Sequence, residues 1–146
     1  MNATSTKQDI DHLNEFLRGE RAAVETYTQC IEKFDDPQMK EELRVLRTSH
    51  QKRVTQIESR IRELSGTPDA SSGAWGSFAK LVEGGAKVFG KSAAINVIEE
   101  GEDHGKNLYN DKLDSLTAGT RAFMIEQIMP EQRRTHDTLA ALRRRV

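Results

Sequence analysis

The stretch that decides the fold spans residues 101–109, which open with Gly101-Glu102 and close with Tyr109, seven residues after the glutamate. The same arrangement occurs once before, over residues 19–27. When the two copies are aligned, one amphipathic segment falls on the other, and each copy continues into a second amphipathic segment that contains one inward histidine. Internal duplication fixes the architecture before any local detail is considered. The chain is therefore expected to be a doubled helical hairpin.

Length and composition limit the class of protein. The chain has 146 residues, of which 31% are charged and 5% are aromatic, and it contains three prolines. This composition is typical of long solvated helices in a single domain rather than of a sheet. The formal charge is −1, from 22 basic and 23 acidic residues, so the sequence offers no electrostatic basis for binding nucleic acid.

The single cysteine and the absence of long apolar stretches indicate the compartment. One cysteine, Cys30, excludes an intrachain disulfide and a cysteine-based metal cluster, and a free thiol suits a reducing environment. No stretch approaches the roughly 20 apolar residues of a membrane-spanning helix. Residues 1–8 also lack the apolar core of a signal peptide. We therefore expect a cytoplasmic protein without a transmembrane segment.

Apolar residues recur at alternating spacings of three and four, which predicts four helices. Asp36 is the predicted N-cap of the second helix, and Pro37 occupies its first position. The long connection after this helix would let the third helix run parallel to the second, and we expect it to carry a short amphipathic helix from Trp75 to Phe89. The predicted helices cover about residues 6–34, 37–65, 92–115 and 120–145, and the crossover covers residues 66–91.

Two local patterns predict details of the helices. Thr6 and Asp9 form a predicted capping pair at the start of the first helix. Pro130 should kink the fourth helix, because it has no N–H to donate to the carbonyl of Glu126. The predicted inward face of that helix consists of Ile125, Ile128, Gln132, His136, Leu139 and Leu142.

Each predicted helix places one titratable side chain on an otherwise apolar inward stripe. These side chains are Glu20, His50, Glu102 and His136. The packing of two related hairpins is expected to bring all four to the middle of the bundle. An isolated buried carboxylate costs several kcal/mol unless it is paired or bound to a metal. Some other group must therefore neutralise the two glutamates.

The first interpretation of these side chains is a metal site. Carboxylate oxygens and imidazole nitrogens together suit iron, manganese or zinc, and the facing helices of a bundle are where such sites are built. An iron or manganese ion is the expected cofactor. The predicted ligands are Glu20, His50, Glu102 and His136, with Glu99 as an auxiliary carboxylate.

Two arginines weaken the case for a dinuclear site and suggest a second interpretation. Dinuclear carboxylate bundles carry Glu-x-x-His on two helices, but here Arg47 and Arg133 stand three residues before His50 and His136. Oxidoreductase chemistry is therefore left open, and a mononuclear or weak dinuclear site is favoured. In the alternative, Arg47 and Arg133 pair with the two glutamates in buried salt bridges. The protein would then be a non-enzymatic stress or scaffold protein with a structural polar core.

Several motifs resemble those of a known family. The motif over residues 19–27, the segment 72–76, the run 100–103 and the late His136 resemble an uncharacterised bacterial family of four-helix-bundle proteins that is grouped with the ferritin-like proteins. The resemblance covers residues 9–143 and implies a ferritin-like up-down-down-up bundle. It implies no established activity, because members are mostly described as domains of unknown function. More distant ferritin-like relatives oxidise or store iron.

The crossover offers an interaction surface. From Trp75 to Phe89, apolar residues recur at helical spacing and are interrupted by glycines. This face either packs on the bundle as a lid or contacts a protein partner or a membrane surface. Self-association through it, as a dimer or a larger oligomer, fits both the metal interpretation and the scaffold interpretation.

Overall fold

The computed structural model describes residues 3–73 and 90–146, which form four long helical rods and contain no strand. The first three rods are α1 (Ala3–Ile31), α2 (Pro37–Glu63) and α3 (Lys91–Lys112), and a 3-10 turn, Leu113–Ser115, follows α3. The fourth rod consists of α4 (Ala118–Phe123), a π-helical turn (Met124–Ile128) and α5 (Met129–Arg143). The predicted all-helical bundle is confirmed in this part of the chain. The crossover helix expected from Trp75 to Phe89 lies outside the described residues.

Two hydrophobic clusters fill the two ends of the bundle. One cluster joins the C-terminal part of α1, the first turns of α2 and α3, and the end of α5. The other joins the first half of α1, the last turns of α2 and α3, and the π turn. Because α2 and α3 begin at the same end, they run parallel, as the long connection between them predicted. None of the helices in the described ranges is both long and apolar enough to cross a membrane.

Of the two predictions about where helices start, the one for α2 is confirmed and the one for α1 is wrong. Asp36 caps α2 by accepting a hydrogen bond from the backbone N–H two residues later (3.1 Å), and Pro37 is the first helical residue, as predicted. By contrast, α1 begins at Ala3, so Asp9 lies inside the helix rather than at its cap. The buried Asp9 carboxylate accepts hydrogen bonds from the backbone N–H (3.0 Å) and the hydroxyl (2.5 Å) of Thr117. It therefore ties α1 to the loop before α4.

The first part of the crossover follows α1 closely. The Asn14 side chain accepts a hydrogen bond from the Asp69 backbone N–H at 2.8 Å, and Arg21 Nε donates to the Asp69 carbonyl at 3.0 Å. Further along, Ser72 Oγ donates to Glu25 Oε2 at 3.2 Å. The partners on α1 advance in the same order as the residues of the loop. The chain after α2 is therefore directed back along the bundle, towards the end at which α3 begins.

The π turn changes which residues of the fourth rod face inward. The Met129 N–H donates to the carbonyl of Met124, five residues earlier, immediately before Pro130. The irregularity predicted at Pro130 therefore takes the form of this wide turn. Ile125 is 49% exposed, and His136 is also displaced from the inward face. From the π turn onward, the buried residues of this rod are Met124, Ile128, Gln132, Thr135, Leu139 and Leu142.

Candidate functional site

A layer of buried polar side chains crosses the bundle between the two hydrophobic clusters, and we call it the polar layer. Its charged members are Glu20 on α1, His50 and Arg53 on α2, and Glu102 on α3, and each has 4% or less of its surface exposed. Gln132 and Thr135 on α5 complete it, together with Tyr27 and Tyr109. Every rod of the bundle therefore contributes at least one polar side chain to the same level.

His50 bridges the two glutamates. Its Nδ1 lies 2.6 Å from Glu20 Oε1, and its Nε2 lies 2.6 Å from Glu102 Oε1. A neutral imidazole carries a single N–H and could donate to only one carboxylate, so this geometry matches the imidazolium. Burial and the charge of Arg53 lower the pKa of His50, but the charges of Glu102 and Glu20 outweigh them and leave the pKa raised. The bridging geometry and the direction of this pKa shift both favour the imidazolium form of His50.

Arg53 is the second cation of the polar layer, and its side chain is fully buried. Nη2 donates to Thr135 Oγ1 at 3.0 Å, and Nη1 lies 3.4 Å from Glu20 Oε2. Nη2 is also 2.9 Å from Nδ1 and 3.0 Å from Nε2 of His50. Because it is nearly equidistant from the two ring nitrogens, Nη2 lies over the ring. Within the described ranges, Nε and Nη1 have no hydrogen-bond partner. The guanidinium is thus held mainly by charge and by Thr135.

The two carboxylates stay ionised because of these cations. Burial alone would raise the pKa of Glu20, but Arg53 and His50 outweigh burial and lower that pKa to about 2. The pKa of Glu102 is likewise lowered, against burial, by His50 and Arg53. An imidazolium and a guanidinium therefore face two carboxylates, and the polar layer is electrically balanced by protein groups alone.

Two tyrosines link the halves of the chain reciprocally. Tyr27 on α1 donates to Glu102 Oε1 on α3 at 2.9 Å, and Tyr109 on α3 donates to Glu20 Oε2 on α1. Burial and the neighbouring carboxylates hold the pKa of both tyrosines well above 10.0, so both remain neutral donors. Each tyrosine thus donates to the glutamate of the other half, so the two bonds are related in the same way as the two copies of the motif.

α2 and α5 each contribute a pair of inward polar side chains to the polar layer, and the two pairs occupy equivalent positions in the two halves of the chain. On α2 the pair is His50 and Arg53, and on α5 it is Gln132 and Thr135, in both cases three residues apart. Thr135 Oγ1 donates to Glu102 Oε2 at 2.9 Å, and Gln132 Nε2 donates to the Glu102 backbone carbonyl at 3.1 Å. The spacing is that of Glu-x-x-His in dinuclear carboxylate bundles, but neither pair has that composition.

Comparison with known proteins assigns the family. Residues 8–115 match the family described as a domain of unknown function, DUF2383. The chain belongs to the DUF2383 family. The match includes α1 from residue 8 onward, α2, α3 and the 3-10 turn, and with them every charged member of the polar layer. No curated protein and no solved structure matches the chain. The family resemblance inferred from the motifs is confirmed, whereas its ferritin-like grouping and its bacterial origin stay predictions.

In this DUF2383 protein, three of the five predicted metal ligands meet. Glu20, His50 and Glu102 converge, but His136 Nε2 lies 2.6 Å from Asp103 Oδ1 at the surface between α3 and α5. Glu99 pairs there with Arg143 Nη1 at 2.6 Å. Both stand outside the polar layer, so the five side chains do not form one ligand set. Thr135 takes the inward position assigned to His136, and it lies on the buried face seven residues from both Ile128 and Leu142.

The predicted arginine partners were the wrong residues. Arg47 Nη1 donates to Thr28 Oγ1 at 3.1 Å rather than to a glutamate, and Arg133 is exposed on α5. Arg53 makes the buried contacts instead. Sequence reasoning missed it, although Met39, Leu46 and Arg53 recur at a spacing of seven on the buried face of α2.

The arrangement of the DUF2383 polar layer does not fit a metal ion. Over residues 3–73 and 90–146, no group of three or more His, Cys, Asp or Glu side chains is placed to hold one. The guanidinium of Arg53 lies beside the converging side chains, and both ring nitrogens of His50 already face carboxylate oxygens. A ligating histidine must be neutral and must offer a free lone pair. The iron or manganese cofactor stays a prediction.

Proposed function

We propose that this DUF2383 protein is a non-enzymatic helical-bundle scaffold whose polar layer is structural. The observation that carries the proposal is Arg53, a fully buried guanidinium between helices that present Glu20 and Glu102. It supplies the positive charge that a metal ion would otherwise supply at this level of the bundle. With His50 as an imidazolium, two cations oppose two carboxylates and no further ion is required.

The role proposed for the polar layer is to set the alignment of the rods. A purely apolar layer tolerates sliding and rotation of neighbouring helices, whereas buried polar groups are satisfied in few arrangements. His50 joins α2 to α1 and α3 through bonds of 2.6 Å, and Thr135 joins α5 to both α2 and α3. A shift of any rod by one turn would break several of these bonds together.

The interaction surface of the scaffold is proposed to be the segment from Trp75 to Phe89. Support comes from its composition, because it holds three of the eight aromatic residues of the chain. Large aromatic side chains at helical spacing are frequent anchors of protein interfaces. Self-association through this segment in the cytoplasm is part of the proposal.

A metal-binding protein is the second candidate, because Glu20, His50 and Glu102 converge, although in the described arrangement they are not placed to hold an ion. Binding of iron or manganese would require His50 to lose a proton and Arg53 to withdraw from the ring. Metal affinity would therefore rise with pH, because the protonated imidazole competes with the metal.

Metal analysis separates the two candidates. The protein is purified without chelator or affinity metal, analysed for bound elements, and titrated with ferrous iron and with manganese. The scaffold proposal predicts no stoichiometric metal. One metal per chain that is lost in Glu20→Gln and retained in Glu25→Gln, an exposed residue on the same helix, would establish the metal candidate instead.

A gain-of-metal variant tests the role of Arg53 directly. The variant carries Arg53→His and Thr135→His. These changes remove the guanidinium and place an imidazole three residues after position 50 on α2 and three residues after position 132 on α5. Adding His50→Glu and Gln132→Glu creates Glu-x-x-His on both α2 and α5, opposite the two native glutamates. If Arg53 takes the place of metal, the folded variant should bind divalent metal that the wild type does not. A helical, folded variant without metal would count against this view.

A further inference from the structure

A cleft on the surface between α3 and α5 lies apart from the buried charges of the polar layer. Its volume is about 250 Å³. Lys106 and Asn110 line it from α3, Arg133 and His136 line it from α5, and the buried Gln132 forms its floor. Facing helices thus direct several polar groups into one concave surface.

The cleft brings two cationic side chains and a histidine together. Lys106 and Arg133 are exposed, and neither forms an ion pair or a hydrogen bond with another residue in the described ranges. His136 contacts Asp103 through Nε2 at 2.6 Å and Asp137, which also lines the cleft, through Nδ1 at 3.3 Å. Burial lowers the pKa of His136, but the bonds to these carboxylates outweigh burial and raise it. The carboxylates are thus directed to the imidazole, and Lys106 and Arg133 keep free donors.

Such an arrangement favours a compact, multiply charged anion. Like charges on facing helices repel each other, and an oxyanion that bridges them replaces this repulsion by charge-assisted hydrogen bonds. Gln132 uses one N–H on the Glu102 carbonyl (3.1 Å), and a side-chain amide has a second N–H to offer. The amide of Asn110 adds further donors at the rim. We propose that this cleft binds a phosphate group, either inorganic phosphate or the phosphoryl end of a small molecule.

This proposal does not rest on the scaffold function. Only Gln132 belongs to both the cleft and the polar layer, and the cations of the cleft contribute nothing to the charge balance around Arg53. A failure of one proposal therefore leaves the other unchanged.

The test is a titration of the full-length ¹⁵N-labelled chain with inorganic phosphate at constant ionic strength, followed by NMR. Saturable shifts are expected for the side-chain amides of Gln132 and Asn110 and for backbone amides around Arg133. Arg133→Gln should weaken phosphate binding by about tenfold, the loss of one charge-assisted contact. Arg134→Gln is the matched control, because Arg134 is adjacent in sequence but pairs with Glu131 at 2.5 Å and does not line the cleft. It should bind phosphate like the wild type.

A second titration, with glycerol 3-phosphate, identifies the source of the phosphate group. Tighter binding of the ester would assign the cleft to a phosphorylated small molecule, and equal or weaker binding would assign it to free phosphate. Three results would overturn the proposal: shifts that do not saturate, equal shifts with chloride, or equal losses in Arg133→Gln and Arg134→Gln.

Discussion

Replacement of Arg53 by methionine should be one of the most destabilising single changes in the bundle. Methionine retains an unbranched apolar stem but removes the guanidinium from a fully buried site. Glu20 and Glu102 would then face His50 alone, and the polar layer would carry one uncompensated negative charge. Removal of one partner from a buried ion pair typically costs about 3–5 kcal/mol.

The contacts of Arg53 indicate where in this range the loss should fall. The variant loses the bond from Nη2 to Thr135 (3.0 Å) and the attraction between Nη1 and Glu20 (3.4 Å). It also removes two buried donors, Nε and Nη1, that lack hydrogen-bond partners among the described residues, which offsets part of the loss. We expect the free energy of unfolding to fall by about 3–4 kcal/mol. In a chain of this size that corresponds to a decrease of roughly 10 °C in Tm.

Urea unfolding at neutral pH, followed by circular dichroism, measures this loss. Arg47→Met is the matched control on the same helix, because Arg47 is half-buried and its bond is to the neutral Thr28 hydroxyl. The control should lose about 1 kcal/mol or less. If Arg53→Met were no less stable than Arg47→Met, the guanidinium would not be what compensates the buried carboxylates.

A double-mutant cycle adds a sharper criterion. Glu20→Gln in the Arg53→Met background removes the excess negative charge, so the double variant should be more stable than the sum of the single losses predicts. Coupling of about 1–3 kcal/mol is typical of side chains in one network. Additive losses would refute the charge-balance argument even if each single variant were unstable.

Two further predictions concern protonation and the tyrosine bonds. Folding lowers the pKa of Glu20 from 4.5 to about 2, so its stabilising contribution is complete above pH 4.5 and is lost as the pH falls towards 2. Folding raises the pKa of His50 above 6.5, so its contribution is complete below pH 6.5 and is lost as the pH rises through the folded value. The free energy of unfolding, measured with urea as a function of pH, should show a plateau between pH 4.5 and pH 6.5. His50→Gln should remove most of the decline in stability on the alkaline side. His136→Gln, at a partly exposed site, should remove little of that decline. Tyr27→Phe and Tyr109→Phe should each lower the free energy of unfolding by about 1.5–3 kcal/mol, because each removes a buried bond to a carboxylate. Markedly unequal losses in thermal unfolding would show that the two reciprocal bonds are not equivalent.

Much of the fold followed from the sequence because its periodicity repeats over many turns. The same pattern placed Glu20 and Glu102 on the inward stripes, and the start of α2 at Pro37 followed from local capping chemistry. The error at His136 has a different origin. After Gln132, residues three and four positions later both fit a helical repeat, and the choice between them depends on the π turn and on packing against α3. Neither is encoded in local hydrophobicity.

Arg53 shows a second limit of the same reasoning. An arginine next to an apolar Val54 is normally assigned to solvent, and the valine to the core. In the bundle, electrostatic attraction to Glu20 and Glu102, which lie on other helices, stabilises Arg53 in the buried position. A pattern within one helix cannot contain that information. The sequence indicates only that some group must neutralise the two buried glutamates. The prediction that Arg47 and Arg133 are these groups was wrong.

The reciprocal tyrosine bonds also bear on how such a chain could arise. A hairpin made only of α1 and α2 would bury Glu20 without a phenol donor, because that donor, Tyr109, belongs to the other hairpin. Two copies of one hairpin, placed face to face, would each provide the tyrosine that the other lacks. Duplication and fusion of a hairpin gene would convert this pair into one polypeptide without changing either tyrosine bond. The exchange of partners between Tyr27 and Tyr109 is thus the pattern that an ancestral homodimer would leave in its fused descendant.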